Sequence, residues 1–546
     1  MRKFLGALAL AATLTVFGNS AAAQGKLEIK ETSLGKLGEQ KDLRSYSVNT
    51  AQTQLAVLGK KGEKFVVSVN GQPDQEYEWI VAGSLGFTAE GNKHVYLVQQ
   101  ANKVFVVLGG KEGKQYHEVV NQDIFRSPKG DRIAYLARPT ATGKRLMVVD
   151  DLEGKEFDQV GAFSFSPDGT RFAYGVETGG KQYFIVDNKP TKEFDKVLGQ
   201  AFVWTADGKQ FAYPAVREQK MLMVIGDKEE GPYDQVTAPV FSPDGQHLAY
   251  SAKRNDKWVV IADGKEQAEY EAIDSQSLRY SPDNLHFAYV AVKAGKKSVL
   301  VLDGKEQKEL DGVAGATVRF SPDSARLAYM GLTKTKDAEG KDSAKLFWVL
   351  DGEELRAYDG LDARAFVFSP DSKRFFYVAV RNKRNVVVID RIEGKEYDEI
   401  VQLQFSPDSK HVAYMAKREN RVYAVVDNAE GVGYVTAANL VFSPDGKRMA
   451  YVAGRDKSMF VVVDGVEGKN YAGIVAQSLA FSPDGKNLAY EARKEEGKPL
   501  FIVNSEESKE HDGSLKGSHL AWTDATLKSM VLRDNEVFRM EMTVGQ

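Results

Sequence analysis

Short apolar segments alternate with turn residues along almost the whole chain. Around residue 440 the apolar segments are LVF (440–442), RMAYVA (448–453), MFVVVD (459–464) and KNYAGI (469–474), and they are separated by SPDG, GRDKS and DGVEG. Each segment has the length of a strand and is rich in Val, Phe or Tyr, while Asp-Gly and Pro are typical of tight turns. The pattern predicts four antiparallel strands joined by hairpins.

This four-segment unit recurs about every 40 residues. When the Tyr of each Ala-Tyr-like pair serves as a marker, the steps are 37 to 40 residues, apart from one of 48. Two weaker copies, ending at Val57 and Val531, bring the total to thirteen. Fixed periods of this length are typical of solenoids and propellers, and four strands per unit match one propeller blade. The markers are Tyr96, Tyr135, Tyr174, Tyr213, Tyr250, Tyr289, Tyr329, Tyr377, Tyr414, Tyr451 and Tyr490.

The predicted fold class is all-β, with tandem β-propellers of about thirteen four-stranded blades. Because one ring typically holds four to eight blades, we predict two rings of six and seven blades. The predicted domains are 24–300 and 301–546, with the boundary between 275 and 315. The last copy lacks its outer strand, and LEIKETSL (27–34) precedes the first copy. That N-terminal segment is a candidate for the missing strand that closes a ring.

The phrase FSPDGKRMAY (442–451) and its copies at Phe241 and Phe481 resemble the Pro-Asp version of the WD-type repeat. This repeat is found in TolB and in the propellers of prolyl oligopeptidase-like and tricorn-like proteases. The resemblance covers almost all of the chain after residue 23, and it implies a β-propeller without specifying a function. TolB-like proteins carry a small α/β domain before the propeller, whereas here LEIKE follows the first 23 residues closely. The G-x-S-x-G elbow expected of an oligopeptidase-like hydrolase domain is absent from the sequence.

The first 23 residues are interpreted as a secretory signal peptide. Arg2 and Lys3 precede a short apolar run (4–17), and the small residues 21–23 offer a cleavage site. The alternative, a membrane anchor, is disfavoured because the run is short for a bilayer span. We therefore expect a periplasmic or secreted protein with no membrane span after cleavage. The chain has no cysteine and a formal charge of −3, which gives no indication of a nucleic-acid-binding protein.

The Asp of each SPDG phrase has two interpretations, a turn residue or a calcium ligand. Calcium needs several oxygens that converge on one point, and one Asp per blade does not converge. The turn interpretation is therefore favoured, with Pro fixing φ and Asp-Gly turning the chain. It applies to Asp168, Asp244, Asp323, Asp371, Asp445 and Asp484.

No catalytic, cofactor-binding or metal-binding residue is predicted. His247, His286 and His411 share a repeat position with Arg or Asn, which predicts a solvated position rather than a ligand set. His511 occupies the slot of an outer-strand Tyr, and His94, His117 and His519 are isolated in the sequence. Aromatic-Asp pairs end many outer strands, and we interpret them as structural, through packing and a hydrogen bond to the next blade. These pairs are Phe157-Asp158, Phe194-Asp195, Tyr233-Asp234, Tyr358-Asp359 and Tyr397-Asp398.

The loops between the second and third strands are rich in cations. Exposed hairpins carry charge for solubility, and this is one explanation; the other is a basic rim that binds an anionic partner. The longest such loop is predicted at 331–345. The candidate anionic-partner surface consists of Lys253, Arg254, Arg381, Lys383, Arg384, Lys417, Arg418, Arg421, Arg455 and Lys457.

Three functions remain open at this stage. The first is a non-catalytic, exported propeller that binds a protein or a cell-envelope polymer. The second is a propeller enzyme, a hydrolase or lyase, with a site on the axis, and the third is a surface scaffold or adhesin. An axial site needs unusual polar residues in the inner strands, and these strands are apolar or small, as in PVF (239–241) and LVF (440–442). This favours binding over catalysis, while the partner and the oligomeric state stay undetermined.

Overall fold

The computed structural model describes residues 26–36, 46–336, 340, 342–515 and 518–545. Within these residues the chain forms thirteen antiparallel sheets with four strand positions each, which is the β-propeller architecture. The only helical elements described are single 3₁₀ turns at Val120–Gln122, Gly199–Ala201 and Ala294–Lys296. The predicted all-β propeller fold is therefore confirmed. The signal peptide predicted at 1–23 lies outside the described residues.

The sheets are numbered 1 to 13 along the chain, and the strand positions of each sheet are lettered A to D. In six sheets position A is split into two short pieces. Sheets 1 to 4 contain Tyr46–Val48, Leu55–Lys61, Lys64–Val69 and Gln72–Tyr77; Trp79–Ile80 with Gly86–Phe87, His94–Gln100, Lys103–Leu108 and Lys111–Glu112; Glu118–Val119 with Phe125–Arg126, Ile133–Arg138, Leu146–Val149 and Leu152–Glu153; and Gln159–Phe165, Phe172–Thr178, Lys181–Val186 and Lys189–Pro190.

Sheets 5 to 8 follow the same order. They contain Lys196–Val197 with Val203–Trp204, Phe211–Arg217, Lys220–Ile225 and Lys228–Tyr233; Gln235–Val236 with Val240–Phe241, Leu248–Arg254, Lys257–Ala262 and Lys265–Tyr270; Ala272–Tyr280, Phe287–Val292, Ser298–Leu302 and Lys305–Glu306; and Gly312–Phe320, Leu327–Lys336, Asp342–Leu350 and Glu353–Glu354.

Sheets 9 to 12 repeat the pattern, and sheet 13 takes its position D from the start of the chain. Sheet 9 contains Gly360–Leu361 with Val367–Phe368, Phe375–Arg381, Arg384–Ile389 and Ile392–Tyr397, and sheet 10 contains Glu399–Phe405, Val412–Arg418, Arg421–Val426 and Ala429–Tyr434. Sheet 11 contains Thr436–Phe442, Met449–Arg455, Ser458–Val463 and Val466–Glu467, and sheet 12 contains Gly473–Phe481, Leu488–Arg493, Pro499–Val503 and Glu506–Glu507. Sheet 13 contains Gly513–Ser514 with Ala521–Thr523, Thr526–Arg533, Glu536–Val544 and Leu27–Lys36.

Two compact units share these sheets. One unit holds residues 33–357 and 535–537, which include sheets 1 to 8. The other holds the described residues up to 32 together with 358–534 and 538 onward, which include sheets 9 to 12 and most of sheet 13. This grouping does not assign sheets to rings. The predicted six-plus-seven partition and the boundary near residue 300 stay predictions.

Buried side chains of consecutive sheets pack face to face inside each unit. Between sheets 10 and 11, for example, Met415 and Val426 contact Met449 and Tyr451, and all four are at most 5% exposed. Burying one such side chain contributes about 1.5–3 kcal/mol. Each blade therefore carries apolar residues on both faces of its B and C strands, as the repeated MAYVA and FVVV segments predict.

The SPDG turn is a hydrogen-bonded unit at the A–B end of the sheet. In sheet 11, Ser443 Oγ donates to Asp445 Oδ1 at 2.6 Å, and the same oxygen accepts from the Lys447 N–H at 3.1 Å. The Ser443 hydroxyl lowers the pKa of Asp445, since the hydrogen bond favours the carboxylate. Gly446 adopts φ +73°, and a Cβ there would lie 2.6 Å from Asp408 of the preceding sheet. The prediction that Asp445 is a turn residue is confirmed.

The first strand of the fold completes the last sheet. Leu27–Lys36 pairs with Glu536–Val544, and the Gly545 N–H donates to the Lys26 carbonyl at 3.1 Å. Leu27 and Ile29 pack against the core between sheets 12 and 13. The N-terminal segment thus supplies the outer strand that the last copy lacks, as its sequence predicts.

The long B–C connection predicted at 331–345 differs from the expectation. Strands Leu327–Lys336 and Asp342–Leu350 extend through most of it, with Lys334 opposite Ala344 and Thr335 opposite Ser343. Thr and Lys alternate in this stretch, and alternating residues suit a solvated two-stranded hairpin. The segment is therefore a longer hairpin rather than a loop, and its tip lies outside the described residues.

Candidate functional site

A charged pair links the B strand of most sheets to the C–D turn. The pairs are Arg132–Asp150, Arg171–Asp187, His247–Asp263, His286–Asp303, Arg326–Asp351, Arg374–Asp390, His411–Asp427 and Arg448–Asp464. The prediction of a solvated position holds for His247 and His286, whose side chains are 42% and 43% exposed, and each also pairs with the carboxylate of the C–D turn. His and Arg exchange freely because either can donate to that carboxylate. We call this contact the turn clamp.

Arg448 shows how the turn clamp joins neighbouring sheets. Its Nε lies 3.0 Å from Asp464 Oδ2, and its Nη1 donates to the Lys486 carbonyl of sheet 12 at 2.9 Å. The guanidinium also lies over the ring of Phe481 in sheet 12. Asp464 Oδ1 accepts from the Met449 N–H at 2.9 Å, so both carboxylate oxygens are used. The clamp is therefore a structural element and not a free cationic site.

The Asp of the aromatic-Asp pair bridges two sheets at their opposite end. Asp398 pairs with Arg384 of sheet 9 at 3.0 Å and accepts from the Glu419 N–H in the B–C hairpin of sheet 10 at 3.3 Å. Asp195 does the same with Lys181 of sheet 4 and the Glu218 N–H of sheet 5. The predicted hydrogen bond to the next blade is confirmed. We call this Asp the connector acid.

A third contact uses the cation at the end of strand B. Arg418 pairs with Glu430 at 2.9 Å and lies over the rings of Tyr397 and Tyr423. Glu430 also accepts from the hydroxyl of Tyr397 in sheet 9 at 2.9 Å. Arg254, Arg381 and Arg455 take the same role with Glu266, Glu393 and Glu467. In sheet 12, Lys469 and Lys494 lower the pKa of the equivalent Glu507 to about 2.

The structure therefore separates the predicted anionic-partner surface into two classes. Arg254, Arg381, Arg384, Arg418 and Arg455 contact acidic groups in the inter-sheet links, and Lys253 pairs with Asp256 at 3.1 Å. Within the described residues, Lys383, Lys417 and Lys457 have no acidic partner, and Arg421 donates only to the Gly433 carbonyl at 3.0 Å. Lys253 and Arg254 lie in the unit of sheets 1 to 8, and the remaining eight residues lie in the unit of sheets 9 to 12.

Arg421 lacks an acid because the connector acid is missing after sheet 10. The position of Asp398 is taken by Val435 in the pair Tyr434-Val435, and after sheet 11 it is taken by Ala472 in Tyr471-Ala472. Val435 nevertheless keeps the backbone contact of the motif, since its N–H donates to the Gly454 carbonyl of sheet 11 at 3.2 Å. After sheet 10 the cation of the link, Arg421, is retained and its carboxylate is lost, whereas after sheet 11 the cation position itself is Ser458.

Exposed valines accompany these cations. Val435 is 53% exposed, and Val432, on the edge strand of the same sheet, is 51% exposed. Both lie within two residues of Gly433, whose carbonyl accepts a hydrogen bond from Arg421. The Val435 N–H contacts the strand Met449–Arg455, which leads to Lys457. We call Lys417, Arg421, Val432, Val435 and Lys457 the hairpin patch. The three cations of the patch are predicted from the sequence, but the two valines are not. The pair Tyr434-Val435, which departs from the aromatic-Asp pairs of other repeats, is the signal that points to Val435.

The described part of the chain contains no group of three or more His, Asp or Glu residues placed to hold a metal ion. None of the described helices is long and apolar enough to cross a membrane.

Comparison with known proteins identifies similarity at the level of solved structures. No family model matches the chain, and no curated protein matches it. A crystal structure of the eukaryotic initiation factor is 12% identical, with a TM-score of 0.31, over 71% of this chain and 96% of that one. A crystal structure of the tricorn protease is 11% identical, with a TM-score of 0.23, over 88% of this chain and 62% of that one.

Proposed function

We propose that this protein is an exported, non-catalytic β-propeller that binds an acidic protein partner through the hairpin patch. The observation that carries the proposal is the loss of the connector acid at Val435, which leaves Arg421 without a carboxylate. In several other sheets the cation of this position is neutralised within the fold, as in Lys220–Asp234 and Lys297–Asp311, whereas Lys103 of sheet 2 faces His117 at the connector position. At sheets 10 and 11 the fold leaves cations and apolar side chains exposed together.

Exposed cations beside exposed valines fit a protein partner better than a purely charged polymer partner. A protein interface has an apolar centre that excludes water and a charged rim that directs association. Val432 and Val435 offer the apolar centre, and Lys417, Arg421 and Lys457 offer the rim. Charge attraction acts over a Debye length of about 8 Å at physiological salt, so the rim increases the association rate, while the valines contribute affinity that salt does not screen.

The polar residues of the A strands support a non-catalytic role. In sheet 10, Gln404 Nε2 donates to the Leu440 carbonyl of sheet 11 at 2.9 Å, and the Leu440 N–H donates to Gln402 Oε1 at 3.2 Å. Asn439 of sheet 11 likewise donates to the Ala476 carbonyl of sheet 12. These amides are used to hold adjacent sheets together. An enzyme with an axial site, a hydrolase or a lyase, would instead need polar side chains that are free to contact a substrate.

A photo-crosslinking amino acid at position 435 tests the proposal in the host organism. The expected result is a discrete protein adduct from the exported fraction, identified by mass spectrometry. The same amino acid at Val466, which is 61% exposed at the opposite end of sheet 11, is the matched control. An adduct pattern shared by both positions, or an adduct that contains polysaccharide and no protein, would contradict an acidic protein partner.

A second variant removes the patch while improving the fold's own contacts. Val435→Asp restores the connector acid opposite Arg421, so we expect normal folding and loss of the adduct-forming partner in a pull-down from the exported fraction. Val466→Asp introduces the same charge at the opposite end and should retain the partner. Retention by Val435→Asp at physiological salt would sink the proposal.

A further inference from the structure

A cavity lies far along the chain from the hairpin patch, among sheets 1, 2 and 3. Its volume is about 690 Å³, within the range of small-molecule sites. Its lining includes Gln54, Asn92, Lys93, His94 and Asp131. Two ion pairs also line it, Lys111–Asp151 at 3.6 Å and Arg132–Asp150 at 2.7 Å. All of these residues belong to one compact unit.

Beside this cavity, sheet 2 lacks the turn clamp. Lys93 occupies the clamp position, and Gly109 occupies the position of the clamp Asp, as its N–H donates to the His94 carbonyl at 2.8 Å. In sheet 11 the equivalent bond runs from Asp464 N–H to the Met449 carbonyl at 2.9 Å. With glycine there, the carboxylate is missing, and Lys93 has no acidic partner among the described residues.

His94 is the second departure of sheet 2 from the repeat. Its position holds an apolar residue in the other sheets, such as Ile133, Phe172, Leu248 or Met449. The imidazole is buried, with Nε2 placed 2.6 Å from Asp74 Oδ2, and Tyr96 donates to the same carboxylate oxygen at 3.1 Å. His94, which is isolated in the sequence, is therefore paired with Asp74 in the structure. A buried His–Asp pair in an apolar register serves no packing need, because an aliphatic side chain satisfies this position in the neighbouring sheets.

The pair leaves one ring nitrogen available to a ligand. In the tautomer that donates Nε2–H to Asp74, Nδ1 is a hydrogen-bond acceptor. Within the described residues Nδ1 has no hydrogen-bond partner, and it is not among the fully buried polar atoms. Asp131, which accepts from the hydroxyl of Thr88, adds carboxylate oxygens to the same lining.

We propose that this cavity binds a small hydroxylated anion of the acidic-sugar class, with the anionic group on Lys93 and ligand hydroxyls on His94 and Asp131. Lys93 matches a carboxylate or a phosphate as a point charge. His94 Nδ1 and Asp131 accept from hydroxyl groups, and the amides of Gln54 and Asn92 donate or accept. The chemistry is shared by a uronic acid and a sugar phosphate, so the probes must separate them.

Titration calorimetry with four probes tests this site. D-glucuronate and glucose 6-phosphate carry both hydroxyls and an anion, D-glucose carries hydroxyls alone, and inorganic phosphate carries the anion alone. We expect one or both acidic sugars to bind at least about tenfold more tightly than either partial probe. Failure of both acidic sugars to bind below about 10 mM, or equal binding of glucose or of phosphate, overturns the proposal.

Variants assign the binding to the named residues. Lys93→Gln and His94→Leu should each weaken the acidic sugar about tenfold or more. Lys103→Gln removes the same charge at the opposite end of sheet 2 and should change binding less than about twofold. Equal weakening by Lys103→Gln would show non-specific charge attraction and overturn the site.

A second variant replaces both members of the His94–Asp74 pair, so that neither residue is left buried without its partner. Asp74→Gly in sheet 1 with His94→Leu in sheet 2 gives the two sheets the residues found at these positions elsewhere, such as Gly113 and Leu248. This double variant should melt at or above the wild-type temperature and should not bind the acidic sugar. Wild-type affinity in the double variant contradicts the assignment of His94.

Discussion

Arg448 and Asp464 form the most deeply placed of the turn clamps, with side chains that are 12% and 7% exposed and a separation of 3.0 Å. His286 and Asp303 form the same clamp at 2.8 Å, but their side chains are 43% and 41% exposed. In both pairs the Asp also accepts from the backbone N–H that starts strand B, Met449 in one and Phe287 in the other. The two clamps thus differ mainly in burial.

We expect Asp464→Ala to lower the free energy of unfolding by about 3 kcal/mol, since it leaves a nearly buried guanidinium without its carboxylate. Asp303→Ala, which removes the same backbone acceptor beside an exposed imidazole, should cost about 1 kcal/mol. Urea denaturation of both variants measures the difference. Equal losses would show that the backbone contact, and not the ion pair, carries the stability of the clamp.

Gly446 and Gly130 allow the close approach at the SPDG turn to be measured. Both glycines have positive φ, +73° and +77°, but a Cβ at Gly130 meets nothing within 4 Å, whereas one at Gly446 meets Asp408 at 2.6 Å. Gly130→Ala should cost about 1 kcal/mol through backbone strain alone. Gly446→Ala should cost at least about 1 kcal/mol more because the Asp408 turn must move. Thermal unfolding with similar losses for both would rule out a steric role for the neighbouring turn.

Asp445→Ala should cost on the order of 1 kcal/mol, through loss of the bonds from the Ser443 hydroxyl and the Lys447 N–H. Because Asp445 lies at the opposite end of the sheet from the hairpin patch, binding of the patch partner should be unchanged. A variant with wild-type melting and no partner binding would mean that this Asp has a functional role.

The repeat period and the turn residues predicted the number of sheets and the B and C strands, because both depend on local chemistry. Strand A of sheet 11 extends back to Thr436, however, and the sequence predicted only its last three residues. Thr436–Asn439 lacks an apolar run, and the register shifts between Ala438 and Val441 with Asn439 at φ +57°. Such irregular strands are held by inter-sheet amide contacts, which no local pattern encodes.

The valines of the hairpin patch and the cavity could not be predicted from the sequence, for a related reason. Val435 and Gly109 are ordinary residues in sequence, and each becomes informative only once the contact made by its counterparts is known. An acid at the first position, as in Asp398, would neutralise Arg421, and an acid at the second, as in Asp464, would lie beside Lys93. The composition of one loop does not show that a partner is missing from a link between two sheets.

His511 gives the protein a pH dependence that can be isolated. The side chain is buried in the outer-strand slot predicted from the sequence, and burial and then the nearby Arg533 charge lower its pKa from 6.5 to about 4. In the unfolded chain His511 is therefore protonated below about pH 6.5, whereas in the folded chain it becomes protonated only below about pH 4. Stability is fully present above pH 6.5 and falls as the pH drops through this window, by about 3 kcal/mol in total.

His511→Phe places the residue found at Phe157 and Phe194 in the same slot and removes the titrating group. The difference in unfolding free energy between wild type and variant should therefore change by about 3 kcal/mol between pH 7 and pH 4. Denaturant titrations at several pH values measure this difference, in which other titrating groups largely cancel. A constant difference across the range would mean that His511 has the same pKa in the folded and the unfolded chain.

The pairing of Leu27–Lys36 with Glu536–Val544 has a consequence for the order of events during synthesis. Strands within sheets 1 to 12 find their partners within about one repeat, so each can form soon after its own residues emerge, whereas the strand at 27–36 must wait for residues made some 500 positions later. Until then its backbone edge stays unpaired, and an unpaired edge invites proteases and foreign strands. A chain that ends before residue 536 can still form sheets 1 to 12, but its strand Leu27–Lys36 has no partner strand. We therefore expect proteases to cleave such truncated chains at this N-terminal strand.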